Sequence, residues 1–223
     1  MIQPATLQFL KQLKKNNNKP WFDGHRSAYE SARDDFNGFI QRVLDAYSVK
    51  DPDLRSLKVK DCVFRINRDI RFSKDKTPYK SNFGASMIRG GKKSIFSGYY
   101  FHCSPGDSFV GGGLWMPTPQ DLKKVRQEID YCWDDFRKIV RAKAFVTQYE
   151  DLAREEYALS SMPKGYERDN PAAEYLKLKC FVAMRPVSDA ELTSKGLLPS
   201  VLKAFSALHP LLAFMNRAIE HEA

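Results

Sequence analysis

The chain has 223 residues, 43% of them hydrophobic and 13% aromatic, enough for a sizeable core in one large domain or two small ones. Its formal charge is +9. All of that excess lies between Arg55 and Lys93, where twelve basic residues stand against three acidic ones, and the rest of the chain carries 24 of each. No apolar run comes near the roughly 18–20 residues of a membrane span, and the opening MIQPATLQFLKQLKKNNN lacks the apolar stretch of a signal peptide. The expectation is a cytoplasmic protein with an anionic partner and no membrane partner.

Leu7, Leu10 and Leu13 recur at helical spacing until NNNKP interrupts them. From Trp21 onward Phe22, Tyr29, Phe36 and Val43 recur every seven residues, with Ala32, Ile40 and Tyr47 between them. That recurrence predicts one long amphipathic helix, ended by DPDL at 51–54. From Cys62 the period falls to two. Cys62, Phe64, Ile66, Ile70 and Phe72 alternate with Arg65, Asn67, Asp69 and Arg71, the pattern of a half-buried strand.

Strands follow at 82–88, 95–103 and 109–115, joined by turns at RGGKK and SPGDS, as in an antiparallel meander. Thr118 as N-cap and Pro119 at the first position begin a helix whose apolar face runs Leu122, Val125, Ile129, Trp133, Phe136 and Val140. The polar stretch Glu150 to Pro171 reads as loop with short helix. A fifth strand at 176–186 alternates Leu178, Cys180, Val182 and Met184. SDAEL has a capping-box pattern, and the last helical region, Pro199 to His221, should divide or kink at Pro210. The fold class is therefore α+β. An antiparallel sheet of about five strands, the meander near 62–115 plus a strand near 177–185, packs with N-terminal, central and C-terminal helices in a single domain, 1–223.

The chemistry concentrates in FRINRDIRFSKDKTPYKSNFG, Phe64 to Gly84. On a strand, Arg65, Asn67, Asp69 and Arg71 would project from one side, a row able to hold a phosphate or carboxylate through bidentate guanidinium contacts or to lie as a plain solvent face. Arg68 falls on the apolar side. Burying a guanidinium alone is costly, so it requires a bulge, a polar cavity or an acid such as Glu128 or Asp130. Lys74, Lys76 and Lys80 follow on a loop, where Tyr79 could stack on a base or sugar.

Other motifs are absent. GGKKS lacks the first glycine of a phosphate-binding loop, since position 86 is Ser86, and Lys93 takes the Ser/Thr place. His25, His102, His209 and His221 are scattered, so no metal and no cofactor is expected, and Cys62, Cys103, Cys132 and Cys180 read as reduced, buried thiols. His102, beside Tyr99 and Tyr100, reads as a packed residue with a general base as the alternative.

The string KDCVFRINRDIRFSKDKTPYKSNFG, with NNKPWFDGHRSAYE before it and GYYFHCSPGDSFVGGGLWMP after it, resembles the family of bacterial and fungal proteins known as domain of unknown function 2461. The resemblance extends to LLAFMNRAIE and implies a single-domain protein. It implies no catalytic residue.

Three functions fit these residues. The first is binding of a phosphate-bearing or other polyanionic ligand, a nucleotide or nucleic acid, by Arg65, Asn67, Arg68, Asp69, Arg71, Lys74, Lys76, Tyr79 and Lys80. The second is an enzyme for a small anionic substrate with Asp69 or His102 as acid/base. The third is a non-catalytic module that docks an acidic protein on a basic face.

Overall fold

Apolar period sets the helical layer. In the computed structural model, which describes residues 1–71, 74–154 and 157–220, α1 (Pro4–Lys15) buries Leu7, Phe9, Leu10 and Leu13 along one face. Its first turn has no side-chain cap of its own. Asp35 supplies the acceptor instead, taking hydrogen bonds from Gln3 N–H (2.8 Å) and Thr6 Oγ1 (2.6 Å). The helix expected from Trp21 is two helices, α2 (Lys19–Gly24) and α3 (Arg26–Tyr47), separated at His25. Asn18 caps α2 by accepting from Trp21 N–H.

After α4 (Val59–Cys62) come β1 (Phe83–Met87), β2 (Gly98–Cys103) and β3 (Ser108–Leu114). Then follow α5 (Pro119–Tyr131), α6 (Trp133–Arg141), α7 (Lys143–Tyr149), α8 (Ala173–Leu176), β4 (Phe181–Val187), α9 (Asp189–Leu192) and α10 (Leu197–Glu220). The α+β class holds. Among the described residues one antiparallel sheet forms, in the order β1-β2-β3-β4, with four strands rather than five. The strand expected at 62–72 is the one that does not form; its Phe72 lies outside the described residues, as does His221. The helix predicted across Leu122 to Val140 breaks at Cys132, whose φ of −106° and ψ of 38° leave the helical region. Three cysteines are buried and Cys132 is half-buried, all four unbridged.

The chain divides into two compact units. The first comprises Met1–Lys93, Tyr100–Val110 and Pro186–Leu202; the second comprises Ser94–Tyr99, Gly111–Arg185 and the chain from Lys203 on. In the first, Phe36 and Phe39 of α3 meet Phe83 of β1 and Phe101 of β2 at ring separations of 5.3 and 5.1 Å respectively. Burying four such rings makes a substantial part of that core. In the second, Phe205 of α10 stacks on Tyr99 at 4.4 Å, and Tyr99 Oη reaches His209 Nδ1 at 2.7 Å. The phenol thus buries its ring and still satisfies its hydroxyl.

Helix α10 continues through Pro210 without division. By length and composition it is apolar enough to cross a membrane, which corrects the expectation that no such run exists. Half of its most apolar window is nevertheless buried within the fold, as a core helix requires.

Within β3, Gly111, Gly112 and Gly113 leave room for main chain. A Cβ at Gly113 would lie 2.0 Å from the Phe181 carbonyl oxygen, and its φ of +131° disfavours any side chain. A Gly113→Ala substitution should therefore destabilise the fold by on the order of 3 kcal/mol, read as a lower urea midpoint with unchanged m-value.

Candidate anion-binding site

Two isolated bridges replace the expected strand. Val63 pairs with Ala85 and Asn67 pairs with Tyr79, both antiparallel. Three residues separate the bridged positions on one side and five on the other, so two extra residues after Tyr79 disrupt the ladder. Pro78 also has no N–H to give; its carbonyl accepts from Arg68 N–H at 2.9 Å. Residues 63–68 are therefore extended but irregular, and Ile70, expected inside, is 39% exposed.

Asn67 and Tyr79 tie together the described residues 67–71 and 74–79. Tyr79 turns both main-chain groups toward Asn17. The Asn17 amide donates to Tyr79 O (2.8 Å), and Tyr79 N–H donates to Asn17 Oδ1 (3.0 Å). One side chain thus does for Tyr79 what a neighbouring strand would do. The Tyr79 ring stacks on Phe22 of α2 at 4.0 Å and is buried. This corrects the expectation that Tyr79 could stack on a base: its surface is already used.

Inside the loop, acids answer some of the bases. Asp75 Oδ1 accepts from Thr77 N–H (2.9 Å) and Thr77 Oγ1 (2.8 Å), while its Oδ2 pairs with Arg68 Nη1 at 2.9 Å. The acid that meets Arg68 is therefore this near neighbour, not Glu128 or Asp130. Glu128 takes Arg217 at 2.7 Å, and Asp130 takes the Asn170 amide at 2.6 Å. Arg68 Nη2 also donates to Tyr79 O at 3.4 Å, and its buried Nε finds no partner. The Arg68–Asp75 pair is partly exposed, so it orders the loop more than it stabilises the fold.

Asp69 is chelated by Arg71: Nε to Oδ1 at 3.0 Å and Nη2 to Oδ2 at 2.7 Å. Those hydrogen bonds hold its carboxyl at about 2, well below the ordinary 3.8. Such a carboxylate stays ionised at neutral pH and is a poor proton acceptor. Among the described residues no hydrogen bond joins Asp69 to His102, the other acid/base candidate.

The remaining bases have no carboxylate partner among the described residues: Arg65, Lys74, Lys76 and Lys80. Arg65 and Lys74 are exposed, as is Asn67. Lys76 Nζ donates to the Ile70 carbonyl at 2.9 Å. Lys80 differs. It is half-buried, with its ammonium 5.4 Å from the centre of the Phe64 ring. Burial lowers its pKa from 10.5, and the positive charges of Arg65 and Arg68 lower it further. Three cations thus meet where only one, Arg68, has an acid.

Phe64 leads away from this cluster onto the sheet. Its ring lies 6.4 Å from that of Tyr100, Tyr100 Oη lies 3.3 Å from His102 Nδ1, and His102 stacks on Phe109 at 4.8 Å and 11°. All four rings are half-buried, whereas Tyr99 and Phe101 on the other side of β2 are fully buried. Tyr100 lies across Gly84, where a Cβ would come 2.4 Å from its hydroxyl oxygen. Burial lowers the His102 pKa against the opposing pull of Asp107, leaving the imidazole neutral at pH 7. Phe64, Tyr100, Phe109 and Gly84 were not singled out from sequence. The period of two does place Tyr100 and His102 on one strand face.

A family model described as a conserved hypothetical protein family, DUF2461, matches residues 5–214. The chain belongs to that family. Both the tied loop and the ring row of this DUF2461 protein fall within the matched span. No match to it was found among curated proteins or among solved structures.

Two measurements check the loop chemistry. Asn17→Ala removes the partner of the Tyr79 N–H and the closer of the two donors to its carbonyl, and should cost about 1–3 kcal/mol, with faster amide exchange at Tyr79. The Asp69–Arg71 pair, being a depressed carboxylate, is intact above the ordinary carboxyl pKa and lost as pH falls through about 2. In Arg71→Gln, the carboxyl NMR titration of Asp69 should move from about 2 up toward 3.8.

Proposed function

We propose that the chain binds a phosphate-bearing anion at the cluster of Arg65, Arg68 and Lys80. The observation that carries this reading is Lys80. It is a half-buried ammonium over Phe64, beside two guanidinium groups, with no carboxylate partner among the described residues. Such an arrangement opposes its own charge, and an anion relieves it. Among the described residues the Arg65 guanidinium makes no hydrogen bond or ion pair, which suits a bidentate contact, while Arg68 is anchored by Asp75 and by the Tyr79 carbonyl. Lys74 and Lys76 add longer-range attraction that salt screens. Asn67 and the Asp69–Arg71 pair border the cluster and supply polar groups for ligand hydroxyls.

Docking of an acidic protein is the weaker alternative, because a convex protein surface reaches exposed lysines more readily than a half-buried one. An enzyme using Asp69 as its base is disfavoured by the chelation of that carboxylate. Nucleotide and nucleic acid remain the ligand classes that this chemistry suits.

Thermal-shift measurements with phosphate against chloride at matched ionic strength test the reading. Phosphate at a hundredfold excess over its Kd should stabilise the fold by about 2.7 kcal/mol. Lys80→Met keeps the aliphatic stem and should weaken binding about tenfold or more. Affinity should also fall as pH rises toward the Lys80 pKa, at a pH lower than the ordinary lysine value of 10.5. An equal shift for phosphate and chloride, unchanged in Lys80→Met, would falsify the assignment.

A further inference from the structure

Resting on the anion-binding reading, we infer that the ligand is a mononucleotide-like molecule whose planar heterocycle lies on the rings of Tyr100, His102 and Phe109 while its phosphate meets Lys80. A site for phosphate alone needs cations and donors, not a row of rings. Here the rings begin at the cation cluster, because Phe64 touches both Lys80 and Tyr100. They then run along one side of β2 and onto β3 without interruption. The neighbouring strand presents no large side chain on that side: Gly84 lies beneath Tyr100, and Ser86 follows two residues on. The result is a row of half-buried rings, His102 and Phe109 face to face and Tyr100 tilted against both, beside a strand with only small side chains on that side; a planar heterocycle would extend this stack.

The strip also has polar atoms at its edge. Tyr100 Oη and the neutral His102 ring offer a hydroxyl and an imidazole nitrogen beside the rings. Oη and Nδ1 are already within hydrogen-bond distance of each other, so the groups left for a heterocycle edge are the second site of the hydroxyl and Nε2.

The charge sequence limits the ligand's length. Lys80, Arg65 and Arg68 stand at one end, and Asp107 stands close enough to His102 at the other to act on its charge. Asp189, in the same unit, accepts from Gly106 N–H at 2.9 Å but is neutralised by Lys11 at 3.0 Å, so the acid at this end is Asp107. A second phosphate beyond the heterocycle would meet acid, so a continuous strand is disfavoured relative to a single nucleotide.

Calorimetric titrations of inorganic phosphate, ribose 5-phosphate, AMP, GMP and a ten-residue oligothymidylate, at 50 and 200 mM salt, decide the matter. At least one of AMP and GMP should bind about tenfold tighter than ribose 5-phosphate, the contribution of one stacked base. Phe109→Leu keeps apolar bulk but removes the flat ring; it should abolish that margin and leave ribose 5-phosphate affinity unchanged. Lys80→Met should weaken all phosphate probes alike. If ribose 5-phosphate binds as tightly as both nucleotides, the heterocycle is overturned and the anion site stands. If no phosphate probe binds the wild type, both readings fall. If the oligonucleotide binds tighter than either nucleotide per phosphate, with a steep salt slope, a single-strand surface replaces the mononucleotide site.

Discussion

The whole cationic region hangs on one amide. Asn17 sits between α1 and α2 and reads both main-chain groups of Tyr79, while Phe22 of α2 covers the Tyr79 ring. These contacts set where the chain re-enters the fold after the loop. The bridge from Tyr79 to Asn67 then fixes where it left, and Arg68, Lys80 and Phe64 are all within three residues of that bridge. A cation cluster assembled on a free loop would lose its geometry to conformational entropy. Here the neck is held from the helical layer, and only the tip, with Lys74 and Lys76, is left to solvent.

Local pairing decides which charges remain available. The sequence presents nine uncompensated charges in one window, and the loop itself uses two acids to hold two arginines in place. Asp75 anchors Arg68 and Asp69 chelates Arg71, so both acids are engaged within the loop and neither arginine is wholly free. The charge that acts outward belongs to Arg65 and the lysines. Sequence charge counts cannot separate these roles, because the separation depends on turns only two to seven residues long.

Much of the architecture was legible from period alone. The seven-residue recurrence found α3, the strands expected at 82–88, 95–103, 109–115 and 176–186 formed the sheet, and Thr118 marked the start of α5 through its bond from Asp121 N–H. The failures have physical causes. Residues 62–72 alternate in polarity like a strand, but Pro78 and two extra residues opposite deny them a continuous partner. His25 and Cys132 interrupt helices whose apolar period continues across the break, because packing preserves the face while the backbone changes direction. Within the segment from Phe64 to Gly84 the geometry differs from a regular strand: Tyr79 is an anchor, Arg68 has a local acid, and the ring row depends on a glycine that admits the Tyr100 hydroxyl.

The three glycines of β3 bear on how the sheet is assembled. A strand without side chains cannot signal its own register, since nothing distinguishes one alignment from the next. Phe181, whose carbonyl lies over Gly113, is sixty-eight positions further along the chain, so that pairing closes a long loop. The alignment must come from neighbours: Leu208 of α10 fills the space over Gly112, and Ala153 N–H binds the Val182 carbonyl on the outer side of β4. Helix α10 thus packs on β3 at Gly112, and β4 is held on its outer side by a segment that precedes it. Its pairing with β3 is the least local in the sheet, and Pro186 blunts its edge against pairing with another strand.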